Sequence, residues 1–184
     1  MYPDLIVQPK GDEDVIKAVI WARENKVAIA VKSGGHQYSG ALSTSGKNIQ
    51  MDLSNMYKDL MVLNPHGPID KDRALHNQLF VPHGDCAYVC VGGHGQTGGY
   101  GQLGRGFGLF GDHIRTIRMV CYDGVIRDIS KENDFEFFYA ILGGSLGNFG
   151  IISYYTVEVY QAKSYLGTIA GPNGFKGPHG IKGF

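Results

Sequence analysis

The sequence has few cysteines, no net charge and no long apolar run. Its three cysteines, Cys86, Cys90 and Cys121, are too few for the disulfide framework of a small secreted domain. Seventeen basic residues balance seventeen acidic ones, so the composition offers no electrostatic case for nucleic acid or an anionic membrane as a partner. Apolar runs such as VAIAV are far shorter than a membrane span, and residues 1–20 lack the apolar stretch of a secretory signal. We therefore expect a globular chain with neither nucleic acid nor a membrane as partner.

Local patterns along the chain alternate between helix and strand, which predicts a mixed α and β fold. Acids at 12–14, followed by an apolar stripe, predict a helix over GDEDVIKAVIWAREN. Asp123-Gly124, between two β-rich runs, is typical of a two-residue hairpin turn. The dense glycines at 92–111 argue against a helix or an ordinary strand there. The other predictions are a buried strand at 27–31, a half-buried strand at 48–54, a loop at 64–76, a short helix at 132–142 and a strand with one buried face at 150–160.

Two glycine-rich loops are the candidates for ligand binding. KSGGHQYSG at 32–40 follows the predicted strand at 27–31, and VGGHGQTGGYGQLG at 91–104 is the second loop. Consecutive glycines let the backbone turn sharply and present its N–H groups, and such concavities bind anions, phosphates above all. Two loops of this kind indicate an extended ligand, with a diphosphate at one place and a planar ring at another.

Two other interpretations of the second loop are weaker. The loop contains GxGxxG twice between 93 and 104, but a Rossmann fingerprint should follow a strand and open a helix, for which this segment is poorly suited. Cys86, Cys90 and His94 are spaced by four, as metal ligands on one helix face would be. Gly92 and Gly93 interrupt that helix and no fourth ligand is obvious. We therefore expect no metal site.

Three motifs in order carry a resemblance to a known family. KSGGHQYSG, PHGDCAYVCVGGHGQTGGYG at 82–101 and LGGSLGNFGII at 142–152 resemble the PCMH-type FAD-binding domain of the vanillyl-alcohol oxidase superfamily. The berberine-bridge-enzyme-like and glucooligosaccharide-oxidase-like branch is the most similar, over residues 2–160. The resemblance implies an α+β fold made of two α/β subdomains, with FAD as cofactor. It also implies an oxidoreductase that acts on a small-molecule alcohol or sugar-type substrate, with oxygen as acceptor.

The same resemblance implies roles for individual residues. His36 matches the histidine that bonds covalently to the flavin 8α-methyl carbon, and Cys86 matches a cysteine that adds a second bond, to flavin C6, in many members. It assigns no catalytic residue. The further residues that it places around the cofactor are Ser33, Gly34, Gly35, Gln37, Tyr38 and Ser39 in the first loop, Gly92, Gly93, His94, Gly98, Gly99 and Gly101 in the second, and Gly150 and Ile151 near the end of the third motif.

The chain departs from the family pattern in three places, which predicts an incomplete domain. It begins at the P-x-x-I-x-x-P strand, and Leu75 runs directly into His76 where relatives have a further strand and helix. A substrate domain would follow Tyr160, but residues 161–184 instead form a tail with glycine at every third position from 171 to 183, which we expect to be disordered. The predicted organisation is thus a partial FAD-binding domain at 1–160 and a tail at 161–184. A non-catalytic remnant that binds flavin is the alternative to an active oxidase.

Overall fold

The described part of the chain contains two three-stranded sheets, one parallel and one antiparallel. The computed structural model describes residues 3–40, 46–56, 62–64, 67–69, 79–144 and 147–161. The expected shortening at Leu75-His76 and all but the first residue of the expected tail lie outside these ranges. Over the described ranges, no helix combines the length and apolar character that a membrane crossing needs. The mixed α and β fold that the sequence predicts is confirmed.

The parallel sheet comes from the first third of the chain. It is built from β1 (Pro3–Val7), β2 (Ala28–Lys32) and β3 (Gly46–Asp52), in the order β1-β3-β2. Helix α1 (Asp12–Asn25) connects the first two strands. Because β2 and β3 run in the same direction, their carboxyl ends lie side by side, and both lead into loops at that edge of the sheet.

Helix α1 has the local signals expected from its sequence. Acidic residues occupy its first turn, where they interact favourably with the helix dipole, and the helix ends at Lys26, which adopts a left-handed φ of 55°. Val15, Val19 and Ala22 lie on its buried face. Burying a valine in this way stabilises the fold by about 1.5–3 kcal/mol. The predicted helix is confirmed, and a strand follows it, but the prediction that this strand is buried is wrong: Ala28 is exposed and the other residues of β2 are half-buried. Among the described strands, β2 lies at the edge of its sheet, which leaves it less covered than β3.

Strand β3 is buried on both faces, so the half-buried strand predicted for 48–54 is wrong. Met51 packs in a core cluster with α1, while Asn48, Gln50 and Asp52 on the opposite face are also less than a tenth exposed. The alternation of polar and apolar residues suggested a solvated face, but β3 is the central strand of its sheet and its polar face is covered as well.

A short hairpin occupies part of the region predicted as loop. Strands β4 (Val62–Asn64) and β5 (Gly67–Ile69) pair antiparallel, with Val62 opposite Ile69. The loop prediction for 64–76 is therefore wrong at 64 and at 67–69. Its prolines argued for a loop, but Pro68 is tolerated here because, among the described strands, β5 pairs with β4 on one side alone. The other predicted loop positions, 65–66 and 70–76, lie outside the described residues.

The glycine-dense segment at 92–111 contains short helices that the sequence did not predict. Helix α2 (Val91–Gln96) is one and a half turns long, α3 (Gly104–Phe107) is a single turn, and a 3₁₀ turn covers Phe110–His113. Each interior glycine costs a helix about 1 kcal/mol relative to alanine, which is consistent with their shortness. Close packing favours glycine here, because a Cβ on Gly95 would lie 3.0 Å from Ile114 Cδ1.

The antiparallel sheet follows, with β7 (Ile114–Cys121) between β8 (Ile126–Ser130) and β9 (Gly150–Val157). The predicted hairpin is confirmed, but its loop has three residues, Tyr122 to Gly124, rather than two. The Gly124 N–H donates to the Cys121 carbonyl, the Cys121 N–H donates to the Val125 carbonyl, and Gly124 has a left-handed φ of 80°. This is the pattern of a type I turn followed by a glycine bulge.

A second core cluster lies against the antiparallel sheet. Helix α4 (Phe135–Tyr139) begins after Asp134, whose carboxylate accepts the Phe137 N–H, and a π-type turn (Ala140–Gly144) continues from it. Phe138 and Ile141 are fully buried among apolar residues of β7 and β8. The predicted short helix at 132–142 is confirmed, and the predicted strand at 150–160 is confirmed over Gly150–Val157. Its predicted buried face does not reach Val159, which is exposed beyond the end of β9. Strand β10 (Tyr160–Gln161) pairs antiparallel with β6 (Leu79–Phe80).

Candidate active site

A cleft of 530 Å³ opens at the carboxyl end of β2. Its walls are β2 with the loop that follows it, helix α2, and the segment that leads into β9. A volume of this size is typical of sites for small molecules and cofactors. The described residues that line it are Ala28, Ile29, Ala30, Val31, Ser33, Gly34, Gly35, His36, Gln37, Leu53, Val89, Cys90, Gly92, Gly93, His94, Gln96, Thr97, Gly147, Asn148, Gly150 and Ile152.

The first glycine loop enters the cleft directly from β2. Gly35 adopts a left-handed φ of 74°, which favours glycine. Gly34 is fixed by close approach, since a Cβ there would lie 2.1 Å from the Tyr88 carbonyl oxygen. His36 follows as an exposed side chain that lines the cleft. The first loop therefore leaves the sheet without side-chain obstruction and carries an imidazole into the cleft.

An ion pair anchors the start of this loop. The Lys32 ammonium lies 2.8 Å from Asp52 Oδ2, and the Ser54 N–H donates to Asp52 Oδ1. The Lys32 side chain also lies beneath Gly35, where a Cβ would be 3.2 Å from Lys32 Cε. Burial by itself would raise the pKa of Asp52, but hydrogen bonds from Lys32 and Ser54 outweigh burial and hold that pKa below its ordinary value.

His94, on helix α2, is tied to the backbone on the far side of the second loop. The Gly84 N–H donates to His94 Nε2 over 3.1 Å, so the neutral ring carries its proton on Nδ1. Burial lowers the pKa of His94, and the nearby His83 lowers it further. His94 therefore lines the cleft as a neutral imidazole near pH 7.

Gln96 is a functional candidate that the sequence reasoning missed. Its side-chain amide donates to the Gly92 carbonyl over 2.8 Å and accepts the Gly147 N–H over 3.0 Å. The buried Tyr155 hydroxyl donates to the same Gly92 carbonyl. The four-residue spacing of Gly92 and Gln96 could have suggested the first contact, but nothing local indicates the contact with Gly147.

The three cysteines lie in different surroundings. Cys90 lines the cleft, with its Sγ 2.9 Å from the position of a Cβ on Gly34, whereas Cys86 is exposed and is not among the lining residues. Cys121 is buried in the core. The described ranges hold no group of three metal-ligating side chains, and Cys86 lies outside the helix that carries His94.

Nine of the sixteen residues expected around the cofactor line this cleft and seven do not. Among the seven, Gly98, Gly99 and Gly101 have packing roles: the carbonyls of Gly98 and Gly99 accept N–H groups of Gly111 and Phe110, and a Cβ on Gly101 would lie 1.8 Å from the His83 carbonyl oxygen. The other four that do not line it are Tyr38, Ser39, Cys86 and the core residue Ile151. The nine that line it are Ser33, Gly34, Gly35, His36, Gln37, Gly92, Gly93, His94 and Gly150.

The cleft fits a ligand such as FAD in its chemistry. Among the described lining residues there is no carboxylate to repel a diphosphate and no lysine or arginine, so peptide N–H groups of the glycine loops are the available anion donors. Ala28 to Val31, Leu53 and Ile152 supply apolar surface for a ring system. A partly apolar cleft with peptide N–H groups for an anion suits a dinucleotide whose two ends differ in polarity.

Comparison with known proteins gives the same cofactor. Residues 3–130 match a family model described as an FAD binding domain. The chain is 33% identical over 172 residues to the FAD-linked oxidoreductase YvdP of Bacillus subtilis, covering 88% of this chain and 38% of the relative. It is also 33% identical over 171 residues to berberine bridge enzyme-like 12 of Arabidopsis thaliana, covering 85% of this chain and 32% of the relative.

Solved structures extend the match to the fold. Glucooligosaccharide oxidase from Acremonium strictum superposes with a TM-score of 0.75 at 25% identity, covering 87% of this chain and 36% of that one. Xylooligosaccharide oxidase from Myceliophthora thermophila superposes with a TM-score of 0.74 at 27% identity, covering 85% and 35%. The chain thus spans about a third of the length of these relatives. It belongs to the FAD-binding domain family, with the PCMH-type fold, and berberine-bridge-enzyme-like proteins and oligosaccharide oxidases are among its relatives.

Proposed function

We propose that this chain is the flavin-binding part of an FAD-linked oxidoreductase that oxidises an alcohol or sugar-type carbon, with oxygen as the electron acceptor. The observation that carries the proposal is the position of His36 in a cleft that is shared by both glycine loops and has no carboxylate among its described lining residues. The names of the relatives support the reaction class, since they include FAD-linked oxidoreductases and oxidases of oligosaccharides.

In the proposed cofactor site, backbone groups and side chains contact different parts of the FAD. The peptide groups of Gly34 and Gly35 would bind the diphosphate, and the apolar surface of β2 and Ile152 would exclude water from the rest of the ligand. When bound, the flavin would supply the hydride-accepting chemistry, while the protein supplies position and electrostatics. His94, neutral with its proton on Nδ1, would offer a hydrogen-bond donor within the same cleft.

A covalent link through His36 is part of the proposal. The glucooligosaccharide oxidase from Acremonium strictum carries a 6-S-cysteinyl, 8α-N1-histidyl FAD, which supports a histidyl link here by similarity. Forming that bond removes one hydrogen from the imidazole and one from the flavin methyl group, and oxygen would take both as hydrogen peroxide. Cys86 is the proposed second attachment point, although it is exposed and is not among the residues that line the cleft.

The covalent link is tested by intact-protein mass and by acid precipitation. We expect wild-type protein expressed with ample riboflavin to gain the mass of one FAD and to give a yellow acid precipitate. His36→Ala combined with Cys86→Ala should lose the yellow colour of the precipitate, because neither a histidyl link nor a thioether can then form. Cys86→Ala should keep it through His36 and change the flavin absorbance spectrum, whereas Cys90→Ala should leave the attachment intact. A wild-type protein that gives a colourless precipitate at unchanged mass would overturn the link.

Turnover is a separate question, because no described residue can be assigned as a catalytic base. The rival function is a flavin-binding chain without chemistry. Anaerobic addition of cello-, xylo- and chito-oligosaccharides to flavin-loaded protein distinguishes the two. Bleaching of the flavin absorbance supports the oxidoreductase, and unchanged absorbance with every sugar supports the non-catalytic binder.

A further inference from the structure

A side-chain amide links two walls of the cleft that lie far apart in the sequence. Gln96 is on helix α2, in the second glycine loop, and Gly147 precedes β9 in the third motif. The Gly147 N–H donates to Gln96 Oε1 across 51 positions of sequence, while Gln96 Nε2 donates to the Gly92 carbonyl one helical turn earlier. Both glycines and Gln96 itself line the cleft.

The two bonds define the orientation of the amide. A backbone carbonyl needs a donor and a backbone N–H needs an acceptor, so only one of the two ways of placing the amide satisfies both glycines. A glutamate at this position could still accept the Gly147 N–H, but its second oxygen would face the Gly92 carbonyl without a proton between them. A methionine has similar length and could make neither bond.

Tyr155 provides an internal comparison at the same carbonyl. Its hydroxyl donates to the Gly92 oxygen over 3.0 Å, and its ring packs against Phe110 in the core. Tyr155 therefore shares one of the two contacts of Gln96 and contributes to general packing, while Gln96 also holds the opposite wall. Loss of Tyr155 should act mainly on the stability of the fold, and loss of Gln96 mainly on the relation between the walls.

We propose that Gln96 is a positioning residue that sets the separation of the α2 wall and the 147–150 wall, and thereby the fit of the bound flavin. It acts through the backbone of Gly92 and Gly147. The segment 147–150 is fixed at its far end by the pairing of Gly150 with Cys121 in the antiparallel sheet, and Gln96 fixes its near end. This inference rests on the proposed flavin site, and it specifies which side chain tunes that site.

The test measures reversible FAD binding in a His36→Ala background, where no histidyl link can form, with Cys86→Ala added so that no thioether can form either. Into this parent we introduce Gln96→Met, Gln96→Glu, Tyr155→Phe and, as a matched control, Gln102→Met. Gln102 is exposed in the same glycine-rich segment and is not among the cleft-lining residues. Quenching of flavin fluorescence gives Kd, visible circular dichroism reports the surroundings of the bound ring, and thermal unfolding without FAD gives Tm.

We expect Gln96→Met and Gln96→Glu to weaken FAD binding by about tenfold or more, which corresponds to about 1.4 kcal/mol. At saturating FAD, both should change the visible dichroism of the flavin. Tyr155→Phe should lower Tm with little change in dichroism, and Gln102→Met should match the parent in all three measurements.

The outcomes separate the two proposals. A parent and a wild-type chain that both fail to bind FAD would overturn the proposed function itself. A parent that binds FAD, together with Gln96 variants that match its Kd and dichroism, would overturn the positioning role alone. Gln96 variants that lower Tm like Tyr155→Phe and leave the dichroism of the bound flavin unchanged would assign Gln96 to general stability and would also overturn it.

Discussion

Lys32 and Asp52 meet at the carboxyl ends of two neighbouring parallel strands, with the ammonium 2.8 Å from Asp52 Oδ2. The Asp52 side chain is 8% exposed and the Lys32 side chain 33% exposed, so the pair is partly shielded from solvent. Because the Lys32 stem also lies against Gly35, the pair connects the sheet edge to the first glycine loop. The stability of the sheet and the shape of the loop should therefore change together.

Removing the cation should destabilise the fold. Lys32→Met keeps most of the stem against Gly35 but leaves a buried carboxylate without its partner, and we expect a loss of about 2–3 kcal/mol in the free energy of unfolding. Urea denaturation measures it. Lys17→Met is the matched control, because the Lys17 side chain is 74% exposed and its ammonium lies as far as 4.0 Å from Asp14 Oδ1. Removing this weak pair should lower the free energy of unfolding by less than about 0.5 kcal/mol. Equal effects of the two variants would contradict the shielding of the Lys32 pair.

The lowered pKa of Asp52 predicts a stability loss in acid. Since the folded chain holds that pKa below the ordinary value of 3.8, the carboxylate contributes stability that is fully present above that value and is lost as the pH falls through the folded pKa. Asp52→Asn should flatten this part of the curve. The measurement is the free energy of unfolding from pH 6 downward. The prediction is refuted if wild type and Asp52→Asn lose the same stability over this pH range.

His94 should produce a second, separate pH effect. Its folded pKa lies below the ordinary value of 6.5, so the unfolded chain takes up the proton first, and stability falls as the pH drops from above 6.5 towards the folded pKa. His94→Gln retains an acceptor for the Gly84 N–H but does not titrate. We expect the variant to lose the pH dependence of Tm just below pH 6.5. His36→Gln, at an exposed histidine and measured without FAD, serves as a control for histidine titration in general. An unchanged slope in His94→Gln would contradict the assignment.

Two glycines of the second loop region should respond in opposite directions to alanine. A Cβ on Gly101 would lie 1.8 Å from the His83 carbonyl oxygen, so Gly101→Ala should destabilise the chain by about 2–3 kcal/mol through overpacking. Gly106, inside α3, has no atom within 4 Å of its Cβ position, so Gly106→Ala should stabilise by about 0.5–1 kcal/mol. Thermal unfolding of both variants without FAD measures this, and a neutral Gly101→Ala would show that the loop can shift away from residue 83.

Local signals in the sequence predicted the elements whose causes are local. The acids and apolar stripe of α1, the run that forms β2 and the glycine after Asp123 each determine structure within a few residues, and each predicted element is present. The burial of β2 and the length of the hairpin loop differ from the prediction, because they depend on the surrounding structure. The burial of Asn48 and Gln50 was not predictable in this way, because it depends on which strand becomes the centre of the sheet.

The candidate site was predictable to a similar degree and for similar reasons. The motif around Gly34, Gly35 and His36 placed the first wall of the cleft correctly, because a strand, a turn and a ligand loop follow one another in the chain. Gln96 and Cys90 were missed as lining residues because their places depend on contacts with Gly147 and Gly34, both more than fifty positions away. Such contacts arise only when the two sheets pack together.

The cleft's lack of lysine and arginine among its described lining residues has a consequence for solution behaviour. Mobile salt screens full charges over a Debye length of about 10 Å at 0.1 M, but fixed peptide dipoles that touch their ligand are affected much less. Raising the salt concentration should therefore change the affinity for FAD only weakly, unlike the steep ionic-strength dependence of phosphate sites built from cationic side chains.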